Sequence, residues 1–213
     1  AKAARRCGRT PSDVTLLAVS KTMPADRIRS LAALGQKSFG ENYLQEAVSK
    51  IESLADLQLD WHFIGQIQRN KTRLVAETFD WAQSIDRLVI AERLSNQRPD
   101  GMNKLNICIQ VRLSDEENKG GVSPDSLFSL AREVDALPRL VLRGLMAIPE
   151  NTTDTGRQRD AFKQMNELFK ALKMQYDTVD TLSMGMSGDF ELAIEEGSTL
   201  VRIGTLLFGP RKN

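Results

Sequence analysis

The sequence predicts an α/β protein, a (β/α)8 barrel of the TIM type, from three observations. Short apolar or β-branched runs alternate with segments of helical period throughout the 213 residues, as in repeated βα units. Several runs are apolar over nearly their whole length, as parallel strands covered on both faces are. No linker rich in Pro, Gly or Ser divides the chain, so eight units in one domain favour a closed barrel. An open doubly wound sheet is the alternative.

Eight runs are predicted to be strands because each is rich in apolar or β-branched residues and is bounded by polar or turn residues. They span residues 15–20, 37–41, 60–65, 81–85, 106–112, 140–148, 181–186 and 200–205. Helical segments separate them along the chain.

The helices are predicted from apolar residues that recur every three or four positions. Pro24 suits the first turn of the helix after the first strand, and Gly35 can end that helix in a left-handed conformation. Ser123 and Pro124 begin a later helix, and residues 161–172 form another. The clearest helix follows the second strand, with an apolar stripe of Leu44, Ala47, Val48, Ile51, Leu54 and Ala55 and with Gln45, Glu46, Ser49, Lys50 and Glu52 on its other faces.

Three segments lie outside these units. Residues 206–213 follow the last strand and are too few for a full final helix. Gly8 and Pro11 are typical of the residues that follow the end of a helix, and the sequence begins at Ala1 without Met. We therefore predict that an upstream N-terminal helix is missing and covers this side of the barrel. The polar segment 114–121, after the fifth strand, could form a lid.

Composition excludes several classes of protein. The 29 basic and 28 acidic residues give a net charge of +1, which provides no field to attract a nucleic acid or an anionic membrane surface. No apolar run approaches the roughly 18 residues of a membrane-spanning helix. Cys7 and Cys108 are predicted to be free thiols in a reducing cytoplasm, and with His62 as the only histidine no metal site is predicted.

Lys21 is the candidate reactive group, because catalytic groups of such barrels lie at the carboxyl ends of the strands. It directly follows the first predicted strand. A lysine amine is a nucleophile only when neutral, and partial burial or neighbouring cations lower its pKa from the reference value of about 10.4. Its product with an aldehyde or ketone is a Schiff base. The alternative is an ordinary solvated lysine at a strand end.

Small residues after the last two strands predict a phosphate site. Gly185, Ser187 and Gly188 follow the seventh strand and lead into a predicted helix, whose first N–H groups and partial positive charge attract a phosphate dianion. Gly204 follows the eighth strand and brings further backbone N–H groups. These two loops hold phosphate in many barrels, although each turn could be an ordinary helix cap.

The residues leave two ligand classes open, since both carry a carbonyl and a phosphate. One is the sugar-phosphate substrate of a Schiff-base aldolase, and the other is pyridoxal phosphate. An aldolase needs an acid or base near the lysine, and Glu41 is the only carboxylate at an obvious strand end.

Six segments, in this order and at this spacing, carry a resemblance that covers nearly the whole chain. They read AVSKT at 18–22, FGENY at 39–43, WHFIG at 61–65, GLM at 144–146, SMGMS at 183–187 and VRIGT at 201–205. Together they resemble the pyridoxal phosphate homeostasis protein family, of the YggS/PROSC type.

The resemblance implies a barrel like the N-terminal domain of alanine racemase, with pyridoxal 5'-phosphate bound as an imine on Lys21. It implies that Ser187 and the backbone of Gly204 and Thr205 hold the phosphate. Arg202 would approach the pyridine nitrogen.

The same likeness places Asn42 and His62 beside the ring, with Met146 nearby. Members of the family are regarded as cofactor carriers or regulators without established catalysis. The resemblance therefore implies one cofactor-binding domain over residues 1–213, in a cytoplasmic protein whose partners include pyridoxal-phosphate-dependent apo-enzymes.

Residue chemistry also favours a carrier over a catalyst. An arginine at the pyridine nitrogen discourages ring protonation, so the ring is a poor electron sink. Racemisation needs an acid or base on each face of the imine, and the only tyrosines are Tyr43 and Tyr176. Tyr43 could approach the site, or it could pack against or cap its helix. We predict a monomeric carrier, with a pyridoxal-phosphate-dependent amino-acid racemase or related enzyme as the alternative.

Overall fold

The protein folds as a closed barrel of eight parallel strands, paired in sequence order, with the first strand also paired to the last. This topology confirms the predicted (β/α)8 barrel and excludes the open sheet. The computed structural model describes residues 1–113, 120–150 and 152–209. The predicted lid at 114–121 therefore lies largely outside the described residues.

All eight predicted strands are present, and most are shorter than predicted at their carboxyl ends. They are β1 Thr15–Val19, β2 Ser38–Glu41, β3 Asp60–Phe63, β4 Trp81–Ile85, β5 Leu105–Gln110, β6 Leu140–Met146, β7 Thr181–Ser183 and β8 Leu200–Ile203. The apolar pattern continues beyond the hydrogen-bonded ladder because residues at the rim of the barrel are also buried. Gly185, at φ +93°, lies in the turn that follows β7.

Helices alternate with the strands as predicted. They are α1 Lys2–Arg6, α2 Ala25–Ala33, α3 Leu44–Ser53, α4 Thr72–Thr78, α5 Leu88–Gln97, α6 Pro124–Asp135, α7 Thr155–Lys173, α8 Phe190–Glu195 and α9 Thr205–Phe208. Gly35 adopts φ +94° after α2, and the Ser123 hydroxyl accepts a hydrogen bond from the Ser126 N–H at 3.3 Å at the start of α6. Both predicted helix boundaries are thus confirmed.

The N-terminal segment packs against the closing side of the barrel. Ala3 and Ala4 of α1 are buried against Ile194 of α8 and Val201 of β8. Gly8 has φ +73° just after α1, as predicted for a residue that follows a helix. None of the helices in the described ranges is long and apolar enough to cross a membrane.

The barrel interior contains a layer of linked polar side chains, namely His62, Gln83, Ser183 and Arg202, whereas the outward faces of the strands pack on the helices. A bulge in β6 interrupts the ladder: Ile107 pairs with Leu142 but Cys108 pairs with Gly144, so Arg143 has no partner there. Gly144 has φ +149°, and a Cβ there would overlap the Thr181 carbonyl oxygen. The bulge therefore requires glycine at position 144.

Candidate functional site

Lys21 lies at the carboxyl end of the barrel, two residues after β1, and is half-buried. It lines a cleft of about 10 Å³ whose other walls include Val19, Gly204 and Thr205. β1 pairs with β8 up to Ala18 and Ile203, and this pairing brings the lysine next to the glycine turn after β8. The cleft has room for about one water molecule. A larger ligand that reaches Lys21 must therefore lie across the exposed surface above the cleft.

Two turns beside Lys21 present backbone donors. The N–H groups of Ser187 and Gly188, after β7, donate to no acceptor in the described part of the chain, and neither do those of Thr205 and Leu206, after β8. The two turns are joined because the Arg202 N–H donates to the Gly185 carbonyl at 2.9 Å. Such a set of unsatisfied N–H groups is suited to binding an anion.

Ser187 adds a side-chain donor to these turns. Ser187 is half-buried, and its hydroxyl makes no hydrogen bond to another described residue. Gly188 is open, since a Cβ there would meet nothing within 4 Å. The turn therefore leaves space for a ligand next to the hydroxyl.

Arg202 is buried inside the barrel, below this mouth, with 4% of its surface exposed. Its guanidinium donates to the Ser183 carbonyl, the Ser183 hydroxyl and the Ala147 carbonyl, each at 2.8 Å. Burial lowers the pKa of Arg202 to about 10, so the group keeps its charge at neutral pH. Met146 is fully buried and pairs with Ser183 in the ladder, which places it near the guanidinium.

His62 does not share the Lys21 cleft. It lines a cavity of about 350 Å³ at the opposite, amino-terminal end of the barrel, together with Thr15 and Ser38, which begin their strands. The ring stacks on Trp81 at 4.8 Å, and burial lowers the pKa of His62 to about 3. His62 is therefore neutral at physiological pH and faces this other cavity.

A hydrogen-bonded chain nevertheless links His62 to Arg202. The Gln83 amide donates to His62 Nδ1 at 2.8 Å and accepts a hydrogen bond from the Ser183 hydroxyl at 2.6 Å. Ser183 in turn accepts from Arg202. His62 thus belongs to the layer that supports the guanidinium, rather than to the surface that surrounds the lysine.

Asn42 also lies outside the Lys21 cleft. It lines a cavity of about 410 Å³ with Tyr43, Phe63 and Lys71, between α3 and α4. The Asn42 side-chain oxygen is buried without a hydrogen-bond partner among the described residues. Such an atom is costly to leave unpaired, so a ligand or a water molecule could satisfy it.

An ion network next to Lys21 was not predicted from the sequence. Lys50 was expected on a polar face of α3, and this is wrong, because it is buried with 7% of its surface exposed. Its Nζ donates to the Ser20 carbonyl at 2.7 Å and to Glu41 Oε1 at 2.8 Å, and it contacts Glu46 Oε1. Lys50 lies three residues after Ala47, on the inward stripe of the helix. This spacing is the sequence feature that could have predicted the burial of Lys50.

Glu41 is committed to the same network. Its Oε1 accepts hydrogen bonds from Lys50 and, at 2.7 Å, from the Ser20 hydroxyl, whereas its Oε2 is buried with no hydrogen-bond partner among the described residues. Burial raises the pKa of Glu41, although Lys50 and Ser20 oppose that change. With its side chain fully buried, Glu41 is not placed to exchange protons with a ligand at the mouth, as an aldolase would require.

The chain matches the model of the family described as alanine racemase, N-terminal domain, over residues 2–212. A Vibrio cholerae protein named pyridoxal phosphate homeostasis protein is 55% identical over 213 residues, which cover 98% of this chain and 90% of that protein.

Solved structures agree with this match. PipY from Synechococcus elongatus PCC7942, solved with PLP bound, has a TM-score of 0.86 and 38% identity, covering 97% of each chain. Alanine racemase from Corynebacterium glutamicum has a TM-score of 0.68 at 18% identity, covering 99% of this chain and 59% of that one. The second similarity concerns the fold alone.

Proposed function

The chain belongs to the pyridoxal phosphate homeostasis protein family, and from that premise we propose that it binds pyridoxal phosphate through Lys21 and serves as a cofactor carrier or regulator. The observation that carries the proposal is the position of Lys21, at the barrel mouth and in one cleft with Gly204 and Thr205. The structure of the PLP-bound relative supports the same ligand.

The residues at the mouth fit this cofactor. When bound, pyridoxal phosphate supplies an aldehyde, which condenses with a neutral amine to give a Schiff base and one water molecule. Lys21 provides the amine. Ser187 and the N–H groups of the two turns that donate to no described acceptor provide donors for a phosphate.

Arg202 supplies a positive charge beneath the mouth. Its terminal nitrogens are occupied by Ser183 and Ala147, so the guanidinium is held in a fixed orientation. A permanent cation near the ring nitrogen keeps that nitrogen unprotonated and weakens the ring as an electron sink. We infer that binding at this site does not favour carbanion chemistry.

The placement of acids and bases also supports a carrier. Glu41 is buried in the ion network, and neutral His62 faces the other end of the barrel. Tyr43 is 53% exposed and lines the cavity between α3 and α4. Among the described residues, Lys21 is thus the proton-transfer group that we place at the mouth, whereas racemisation requires two such groups.

A titration with pyridoxal phosphate tests the binding proposal. The wild-type protein should develop the absorbance of a Schiff base with one cofactor per chain, and Lys21→Ala should not. Lys37→Ala is a matched control, because Lys37 is an exposed lysine just before β2. Equal spectra for Lys21→Ala and the wild type would contradict the proposal.

A second experiment separates carrier from racemase. The loaded protein is incubated with a panel of amino acids in deuterated water, and exchange at the α-carbon is followed by mass spectrometry. A carrier gives exchange no faster than free cofactor. Rapid turnover would support the racemase alternative.

Location, domain content and partners are part of the same proposal. We propose a cytoplasmic monomer with one cofactor-binding domain, since both cysteines are free thiols and the curated relatives contain little sequence beyond the matched region. We further propose that it passes cofactor to pyridoxal-phosphate-dependent apo-enzymes.

A further inference from the structure

Thr22, the residue after Lys21, has an unusual backbone conformation. Its φ is +66°, and no other non-glycine residue in the described ranges has a positive φ. A β-branched residue rarely adopts this left-handed conformation, which persists only where surrounding contacts hold it in place. The contacts of Thr22 therefore indicate what fixes the chain beside the lysine.

Both neighbours of Lys21 are bound to α3. The Thr22 N–H donates to Glu46 Oε1 at 2.6 Å, and the Ser20 carbonyl accepts from Lys50 Nζ at 2.7 Å. Glu46 and Lys50 also contact each other, four residues apart on the helix. The backbone is thus attached to the same helix, α3, on both sides of Lys21.

The network is not explained by stability alone. Buried ion pairs such as Lys50 with Glu41 lose much solvation, and apolar residues of similar size often stabilise a core equally well. Here the buried Lys50 ammonium instead contacts a backbone carbonyl and two carboxylates at the point where the chain leaves β1. Fixing that point has a clear use if the amine must meet a ligand in a defined direction.

We propose that Lys50 and Glu46 are positioning residues for Lys21, which fix the backbone on both sides so that its amine is aimed at the aldehyde of the bound cofactor. The inference rests on the proposed function. In the bond-forming step the neutral amine adds to the aldehyde carbon, the nitrogen loses its two protons to the departing oxygen, and one water leaves. The rate of this step depends on the approach geometry, which the two residues control without touching the ligand.

The test compares how fast cofactor-free variants form the Schiff base after mixing with pyridoxal phosphate. Lys50→Met and Glu46→Ala should each slow the absorbance change by about tenfold to a hundredfold, as expected for misplacement of about 1 Å. Glu46→Gln keeps an oxygen acceptor for the Thr22 N–H and should recover most of the rate.

Arg98→Met is the matched control for lost stability. Arg98 is also a buried cation, 2% exposed, and donates to the Ala76 and Phe79 carbonyls at 2.7 Å, beside α4. Its substitution should lower the thermal midpoint without slowing Schiff-base formation. If Arg98→Met and Lys50→Met slow it equally, the positioning role is wrong.

Thr22→Gly provides a rescue that a merely structural role would not show. Glycine adopts positive φ without strain, so Glu46→Ala should slow the reaction less in the Thr22→Gly background than in the wild type. This comparison tests the positioning role of Glu46 even if Lys50→Met fails to fold. Unchanged rates in Glu46→Ala, with Lys21 still modified, would overturn the inference and leave the proposed function intact, whereas no reaction in the wild type would contradict the proposed function itself.

Discussion

At the scale of single residues, the Ser187 hydroxyl has the most specific expected role. It is half-buried on the turn after β7 and bonds to no other described residue. We expect Ser187→Ala to weaken pyridoxal phosphate binding by about 1 to 3 kcal/mol, or about 5- to 150-fold in Kd, because one charge-assisted hydrogen bond is lost. Calorimetric titration measures this change.

Ser30→Ala is the control for Ser187→Ala. The Ser30 hydroxyl is exposed on α2 and donates to the Asp26 carbonyl, so its removal should leave the Kd unchanged. Equal affinity of Ser187→Ala and the wild type would contradict the phosphate role of Ser187.

His62 should make the protein less stable in acid. Burial lowers the pKa of His62 from 6.5 to about 3, so between these values the unfolded chain binds a proton that the folded chain does not. The free energy of unfolding should therefore fall as the pH drops from 6.5 towards 3, with a contribution from His62 of up to about 1.4 kcal/mol per pH unit. Urea unfolding at several pH values measures the slope.

His62→Gln should remove that part of the slope, and Gln83→Leu should not. Both variants lose the hydrogen bond between the two side chains, but only the first removes the titrating group. An identical pH slope in His62→Gln and the wild type would show that His62 is not buried in neutral form.

The residues predicted from the sequence to form one site lie at different heights along the barrel. Lys21 lies at the mouth, as its position after an apolar strand indicates, and Gly204 and Thr205 lie beside it. The family likeness alone predicts His62 beside a ligand, and this stays a prediction; the structure shows its ring lining the amino-terminal cavity. A sequence motif does not specify how far along the barrel axis an inward side chain lies. That position decides whether the side chain lines the carboxyl end or the amino end of the barrel.

At the scale of elements, the bulge in β6 is the feature that sequence patterns could not reveal. It places Arg143 in the amino-terminal cavity, where its guanidinium lies 4.9 Å from the Trp81 ring and pairs with Asp180. An extra residue in one strand changes neither composition nor apolar period enough to be recognised.

Gly144→Ala tests how strictly the bulge is required. A Cβ at φ +149° would overlap the Thr181 carbonyl oxygen, so β6 and β7 would have to separate. We expect a loss of at least about 2 kcal/mol in the free energy of unfolding, measured by urea denaturation. Gly101→Ala is the control, because Gly101 also has positive φ but a Cβ there meets no atom within 4 Å; equal losses in the two variants would mean that the overlap is unimportant.

Helix α3 shows a second limit at this scale. Its apolar stripe was predicted, with Leu44 and Ala47 buried, but Lys50 was assigned to solvent because it is charged. A charged side chain is reliably exposed only when the fold provides no buried acceptor for its hydrogen bonds. Here Glu41 at the end of β2 and the Ser20 carbonyl just after β1 supply acceptors that only the folded barrel brings together.

At the scale of the whole molecule, the barrel divides into two ends with different chemistry. The carboxyl end carries Lys21 and two turns whose N–H groups are unsatisfied within the described ranges, and the amino end carries a polar cavity. The series of hydrogen bonds that links His62 to Arg202 runs through the layer between the two ends. The alternation of strands and helices was sufficient to predict the barrel, but the layer depends on side chains from four strands and could not be read from any one segment.

The proposed function depends on the covalent link between Lys21 and the cofactor. The most direct measurement is borohydride reduction of the protein loaded with pyridoxal phosphate, followed by digestion and peptide mass spectrometry. We predict one pyridoxyl phosphate group per chain, on the peptide that contains Lys21, and none in Lys21→Ala. Stable cofactor binding with no reduced adduct, or an adduct spread over other lysines at the same yield in Lys21→Ala, would contradict the account.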